Sequence, residues 1–226
     1  RGAELILNLN ASPFHRYKLE ERKSLLIKHA EKFSVPIIYV NQVGGQDELV
    51  FDGSSLVVSP GTGIDFQLPS FKTATATLDF GNKDGTFQVI NKKKVAESSD
   101  LKNLYDAIVL GTQDYIEKNG FSGALIGSSG GIDSAVTSTL AASTGHPTLC
   151  LEMPIHQSKQ ELERSGKHIQ WLKNNFSNVS SEVIDLTESF DKFSQKIQKI
   201  ESKNNLLALA NSRSRLRMTT LYYYAA

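Results

Sequence analysis

The chain is short of the residues that staple small folds or hold metals, with a single cysteine, Cys150, in 226 residues. One cysteine excludes an internal disulfide framework and any paired-cysteine metal site. Within Thr148-Leu-Cys-Leu-Glu-Met153 it reads as a small buried hydrophobe of a strand rather than a nucleophile. An excess of charge is also missing: 25 basic residues stand against 24 acidic ones, so the electrostatics give no case for a nucleic-acid or membrane partner. No apolar run reaches the roughly 20 residues needed to cross a bilayer. No charged-then-apolar leader precedes the first strand pattern, and the cytoplasm is the expected location.

What is present is an ordinary globular composition, 39% hydrophobic and 8% aromatic, long enough for one large core or two small ones. The ends are unusual. The chain opens on Arg1 and runs at once into Glu4-Leu-Ile-Leu-Asn-Leu-Asn10, and it closes on Leu221-Tyr-Tyr-Tyr-Ala-Ala226 inside a helical pattern without a stop signal. Both ends lead us to expect a piece of a longer protein.

Periodicity gives an α/β reading. An apolar run at 4–10, helical spacing of Leu19, Leu26, Ala30 and Phe33 over 18–33, and the β-branched run 36–40 make a strand–helix–strand unit. Further strands are predicted at 54–59 and 75–80, separated by the turn-forming Ser59-Pro-Gly-Thr-Gly63. From Phe80 to Asp100 the chain is polar and aperiodic, so we expect a first domain over 1–85, a linker over 86–100 with Lys92-Lys-Lys94 as a solvated face, and a second domain over 101–226. In that domain the predicted order is a helix at 101–118 stopped by Asn119-Gly120, a strand at 124–126, a helix at 133–143, a strand at 148–153, a helix at 157–175 and a strand at 182–186. Such alternation implies a parallel sheet of Rossmann type.

The chemistry sits in Gly127-Ser-Ser-Gly-Gly-Ile-Asp-Ser134, between a predicted strand and helix. Backbone N–H groups and the positive helix end converge there on an anion, phosphate being the natural guest. Gly130 and Gly131 let the backbone approach, and Ser129 and Ser134 offer hydroxyls. Asp133 beside a phosphate requires an intervening cation, which points to Mg²⁺ on a polyphosphate with Asp133 as metal ligand. A Walker A loop is excluded because no lysine lies between Lys118 and Lys159. A serine-hydrolase elbow at Ser129 fits G-x-S-x-G, although His146, His156 and His168 could be its base only without supporting spacing. The bland alternative is a glycine turn that caps a helix.

Ser129-Gly-Gly-Ile-Asp-Ser134 is similar to the S-G-G-x-D-S loop of the ATP pyrophosphatases, a loop shared in related form by guanylate, asparagine and tRNA-thiolating enzymes. Asn211-Ser-Arg-Ser-Arg-Leu-Arg-Met218 resembles the N-x-x-A-R-x-R segment of NAD synthetases, with Ser214 in place of alanine. Asn8-Leu-Asn-Ala-Ser-Pro-Phe-His15, Lys18, Arg22 and the run Tyr39–Gly53 resemble the C-terminal half of the nitrilase-type glutaminase fused to such synthetases. The resemblance implies the C-terminal part of a nitrilase-like αββα sandwich followed by a Rossmann-like adenine nucleotide alpha hydrolase-like domain. It implies a ligase that adenylates the nicotinate carboxylate of deamido-NAD with ATP and amidates it with ammonia from glutamine. By motif match it places ATP on Gly127, Ser128, Ser129, Gly130, Gly131, Ile132, Asp133 and Ser134, deamido-NAD on Asn211 and Arg215, and glutamine on Ser12 and Lys18, with Met153 near adenine. No position matches the family's Glu–Lys–Cys glutaminase triad, whose members are expected upstream, and the T-G-N-x-x-E segment is expected beyond Ala226. A homo-oligomer is also expected. Arg213 and Arg217 share one helical face while Asn211 and Arg215 share another, and the bland reading of the cluster is a solvated surface.

Overall fold

The computed structural model describes residues 2–83, 86–92, 98–197 and 205–226. The chain divides into two compact units, Arg1–Tyr115 and Ile116–Ala226.

The first unit is built on a four-stranded sheet of β1 (Ile6–Asn10), β2 (Ile37–Asn41), β5 (Leu56–Ser59) and β6 (Gly63–Gln67), in that spatial order. β1 and β2 are parallel, as their connection through helix α1 (Lys18–Phe33) requires, and the remaining pairs are antiparallel. The side-chain period of 2 sends Ile37, Tyr39, Leu56 and Val58 to one face, where they pack on Leu26 and Ala30 of α1. The intervening Ile38 and Val57 face the opposite side, with Phe66, Leu68, Leu78, Phe80 and Val89. A hairpin of β3 (Val43–Gln46) and β4 (Leu49–Asp52) extends from β2. Helix α2 (Asp100–Asn119) lies against this hairpin at backbone distance: a Cβ on Gly45 would stand 3.0 Å from the Gly111 Cα, and the Gly45 N–H donates to Asp114 at 2.7 Å.

Two expectations are corrected here. The predicted strand at 75–80 does not form; the second partner of β5, beside β2, is β6, masked in the sequence by Gly61 and Gly63 at its start and by Asp65 in its middle. Asp65 is 1% exposed and is tolerated because Thr62 and Lys92 donate to its Oδ1 at 2.9 and 2.6 Å. Lys92 is exposed, as expected of a solvated face, and also pairs with Asp65; Lys93 and Lys94 lie outside the described residues. Within the stretch read as a linker, β8 (Thr86–Val89) pairs with β7 (Phe80–Lys83) and Val89 is buried.

The second unit is a three-stranded parallel sheet in the order β11 (Val179–Val183), β10 (Thr148–Glu152), β9 (Ala124–Ser128). Helices α3 (Ile132–Ser143) and α4 (Lys159–Asn175) supply the crossovers and share a core with Cys150 through Ala142, Ile169 and Leu172. On the other face Leu149, Leu151 and Met153 pack with Phe190 of α5 (Thr187–Ile197) and with Leu209, Leu216 and Leu221 of α6 (Asn205–Ala225). Coverage of both faces explains why β10 is apolar at every position but its ends. Cys150 is 0% exposed, as expected of a core hydrophobe, and burial raises the pKa of its thiol. The last strand starts three residues earlier than predicted. Ile184 and Leu186, which drew the prediction onward, continue beside β10 through single bonds to the Glu152 and Pro154 carbonyls and pack in the α5/α6 core. No helix among the described residues is long and apolar enough to cross a membrane.

Candidate functional site

β9 ends at Ser128, where the chain turns away from the sheet and enters α3. Gly130 takes a left-handed φ of 76°, and Gly131 is extended as the N-cap, with no side-chain cap on the helix. The first-turn N–H groups of α3 are thus left without a capping side chain and point toward the loop. Around them the hydroxyls are already ordered. Ser134 Oγ donates to the Gly131 carbonyl at 2.9 Å and lies 3.1 Å from Ser129 Oγ, while the Gly131 N–H donates to Ser129 Oγ at 3.3 Å. Gln157 donates to the Ser129 carbonyl, and Ser128 Oγ is 2.9 Å from Ser165 Oγ of α4.

Three cavities adjoin this loop. One, of about 390 Å³, places Ser129 and Gly131 opposite His156, Arg164, Arg213 and Arg217, with Glu161 the only carboxylate in its wall among the described residues. A second, of about 240 Å³, runs between Gly127–Ser129 and Met153, Met218 and Leu221. The third, of about 280 Å³, lies along Gly130–Ser134 and is closed by Ser165 and His168. Three guanidiniums against one carboxylate make the first cavity attractive to phosphate, and the apolar lining of the second suits a flat ring. α6 is tied to the end of β10 by Arg217, whose Nε donates to the Met153 carbonyl at 2.8 Å. Burial pushes the Arg217 pKa down, the neighbouring Arg213 adds to that shift, and Glu161 opposes it; a guanidinium remains charged throughout.

The residues singled out from the sequence are not all brought together. Gly127, Ser128, Ser129, Gly130, Gly131, Ile132 and Ser134 line one or more of the three cavities. Asp133 is exposed in the first turn of α3 and lines none of them. Asn211 and Arg215 are exposed, the Arg215 side chain reaching only the Asn211 carbonyl, at 3.4 Å, among the described residues. It is their neighbours Arg213 and Arg217 that enter the cavity, a face visible in the four-residue spacing. Gln157, Glu161 and Arg164 were also missed. Their signal was Ser158-Lys-Gln-Glu161, a capping box that announces a helix start just past β10 and hence beside the loop.

In the first unit, Ser12 is held by its main chain to Asn41, and the Lys18 ammonium pairs with Glu21 at 3.1 Å. The unit's cavity of about 410 Å³, between Phe14–Lys23 and Ser98–Asp106, is lined by neither of them.

The hydrolase arrangement does not assemble. His168 binds Ser138, His156 binds Asp191 and His146 binds Glu117, so that none of the three is a hydrogen-bond partner of Ser129.

The capping box at α4 also sets a stability expectation. Ser158 side-chain and backbone hydrogen bonds hold the Glu161 carboxyl below its usual range. A group with a lowered folded pKa contributes stability above its unfolded pKa and loses it as the pH falls through the folded value. Ser158→Ala is expected to cost about 1 kcal/mol at neutral pH, and the difference from the parent should narrow in acid. Urea titrations at both pH values check this, and an equal difference at both would contradict it.

A family model described as NAD synthase matches residues 104–226. Over 99% of its length the chain is 32% identical to the glutamine-dependent NAD(+) synthetase of Aquifex aeolicus, and over 62% it is 39% identical to that of Rhodobacter capsulatus. It spans 44% and 26% of those two proteins. The solved glutamine-dependent NAD+ synthetase of Acinetobacter baumannii, in complex with ADP, superposes on 98% of the chain with a TM-score of 0.82 at 29% identity, the chain covering 41% of it. A parallel sheet carrying a glycine–serine loop, an arginine helix bound to the next strand end, and a family match over more than half of the residues together place this chain in the NAD synthase family.

Proposed function

We propose that the intact protein is a glutamine-dependent NAD synthetase, and that this chain supplies its ATP loop and part of its glutaminase. The supporting observation is the loop cavity in which Ser129 and Gly131 face Arg164, Arg213 and Arg217. A carboxylate is a poor electrophile because its leaving group would be oxide, and transfer of AMP to the nicotinate carboxylate of deamido-NAD supplies a good one. The loop N–H groups and the guanidiniums then hold the departing pyrophosphate. The slot between Gly127 and Met153, walled by Met218 and Leu221, takes the adenine in this reading. Asn211 and Arg215, on the exposed side of α6, are left for deamido-NAD.

Mg²⁺ fits at Asp133. Its carboxylate is exposed at the start of α3, and no group of three or more His, Cys, Asp or Glu among the described residues forms a metal cage, so polyphosphate oxygens and water would complete the shell. Such an ion, held by Asp133, would neutralise charge that develops on the phosphates.

The first unit reads best as the C-terminal part of a nitrilase-like sandwich, with the domains placed at 1–85 and 101–226, except that β8 in the intervening 86–100 belongs with the first of them. Ser12 and Lys18 are its contacts to glutamine, and ammonia released there reaches the adenylate. A homo-oligomer and a cytoplasmic location complete this reading; no helix among the described residues is long and apolar enough to cross a membrane.

The test is a substrate assay of the intact enzyme. Pyrophosphate release from ATP should require deamido-NAD, and NAD should form with either ammonia or glutamine. Release driven equally by an unrelated carboxylate acceptor would reject this reading, and labelling of Ser129 by a fluorophosphonate would favour the hydrolase.

A further inference from the structure

We infer that Asn41 is a positioning residue of the glutamine subsite, fixing Ser12 through its main chain, and that Asp52 and Arg22 in turn fix Asn41. The inference rests on the assignment of Ser12 to glutamine proposed above and adds how that residue is held. Asn41 closes β2, 6% exposed, and its carboxamide grips both polar groups of one distant residue: the Ser12 N–H donates to Asn41 Oδ1 at 2.8 Å, and Asn41 Nδ2 donates to the Ser12 carbonyl at 3.1 Å. The amide thereby imitates a neighbouring strand at a point where none runs.

Its orientation is determined by the next layer. Nδ2 also donates to Asp52 Oδ1 at 3.2 Å, and a carboxylate can only accept, so the amide cannot be reversed. Asp52 is paired with Arg22, whose Nη2 donates to both of its oxygens at 2.6 and 2.5 Å, and Asp52 and Arg22 are 2% and 6% exposed. On either side of Ser12 the chain is pinned again, the Asn10 carbonyl by the Gln42 N–H at 3.1 Å and the Phe14 N–H to the Val50 carbonyl at 2.7 Å. The residues held are 10, 12 and 14, the alternation of a strand, which fixes the direction of the Ser12 Cβ. No hydrogen bond reaches the Ser12 hydroxyl among the described residues, so every tie on this residue is a main-chain one, and the hydroxyl remains for a ligand.

Asn41 touches no ligand in this scheme; it acts through Ser12, and a double-mutant cycle in the intact enzyme reads that directly. Asn41→Ala is expected to raise the KM for glutamine about tenfold or more, as a displaced binding group does. NAD synthesis driven by added ammonia should be retained. On a Ser12→Ala background the same change should alter the glutamine KM by less than about twofold, the non-additivity of residues acting as one. Ser55→Ala is the structural control, because Ser55 Oγ accepts from the Asn41 main-chain N–H at 3.0 Å without touching Ser12. It should leave the glutamine KM unchanged at a comparable shift in unfolding midpoint. If Asn41→Ala does not fold, Asn41→Ser, which keeps a polar group but is too short to hold both the N–H and the carbonyl of Ser12 and brings no charge against Asp52, takes its place in the cycle. Additive effects, or an equal KM rise in Ser55→Ala, would overturn the inference. Normal glutamine use by Ser12→Ala would overturn the glutamine assignment beneath it.

Discussion

Gly130→Ala is expected to reduce ATP-dependent NAD formation at least about a hundredfold, the scale on which misplacing a positioned group by ~1 Å acts. At this residue two constraints coincide. The backbone is left-handed, with φ at 76°, which disfavours any side chain by roughly 1–2 kcal/mol. An added Cβ would also lie 2.3 Å from the Glu161 carbonyl oxygen, a separation that no rotamer change relieves because the obstacle is backbone. Either the loop withdraws from α4, carrying Ser129 and Gly131 away from Arg164, or α4 gives way at its capped N-terminus. Pyrophosphate release measured beside the thermal midpoint separates loss of geometry from loss of fold. A variant with near-parental turnover would show that the close approach of loop and helix is dispensable.

Arg22→Ala should destabilise the first unit by about 3–5 kcal/mol, because it leaves a buried carboxylate without its cation. That is a large part of the ~5–15 kcal/mol that holds a domain folded. Asp52 would keep the Asn41 amide as a donor but lose the bidentate guanidinium. Exchange of both partners for apolar groups, Arg22→Met with Asp52→Leu, is expected to recover most of the loss, since the penalty belongs to the stranded charge rather than to the missing pair. Urea denaturation of the three proteins decides it, and a cost below about 1 kcal/mol for Arg22→Ala would mean that water reaches Asp52.

Much of this architecture was legible because local and long-range signals agree. The apolar stripe of Leu26 and Ala30 marks α1, the β-branched run before Asn41 marks β2, and the small residues between Ile126 and Ser134 can be little other than a strand-to-helix loop. Legibility failed where tertiary contacts override the local pattern. β6 carries a buried Asp65 whose partner Lys92 is 27 residues away, and no window of sequence contains that pair. Within α6 the choice between the Asn211/Arg215 face and the Arg213/Arg217 face depends on which side meets Met153, a fact of packing that spacing alone leaves open. The buried Arg22–Asp52 pair was hidden for the same reason: each residue, read locally, belongs on a surface.

The burial of Cys150 gives the second unit a chemical clock. Its sulfur lies in the middle strand, closed off by Ala142, Ile169 and Leu172, and is held as the unreactive thiol. Alkylating reagents meet it only while the sheet is parted from its helices, so the labelling rate at this position counts those openings and reports how often the second unit comes apart under working conditions.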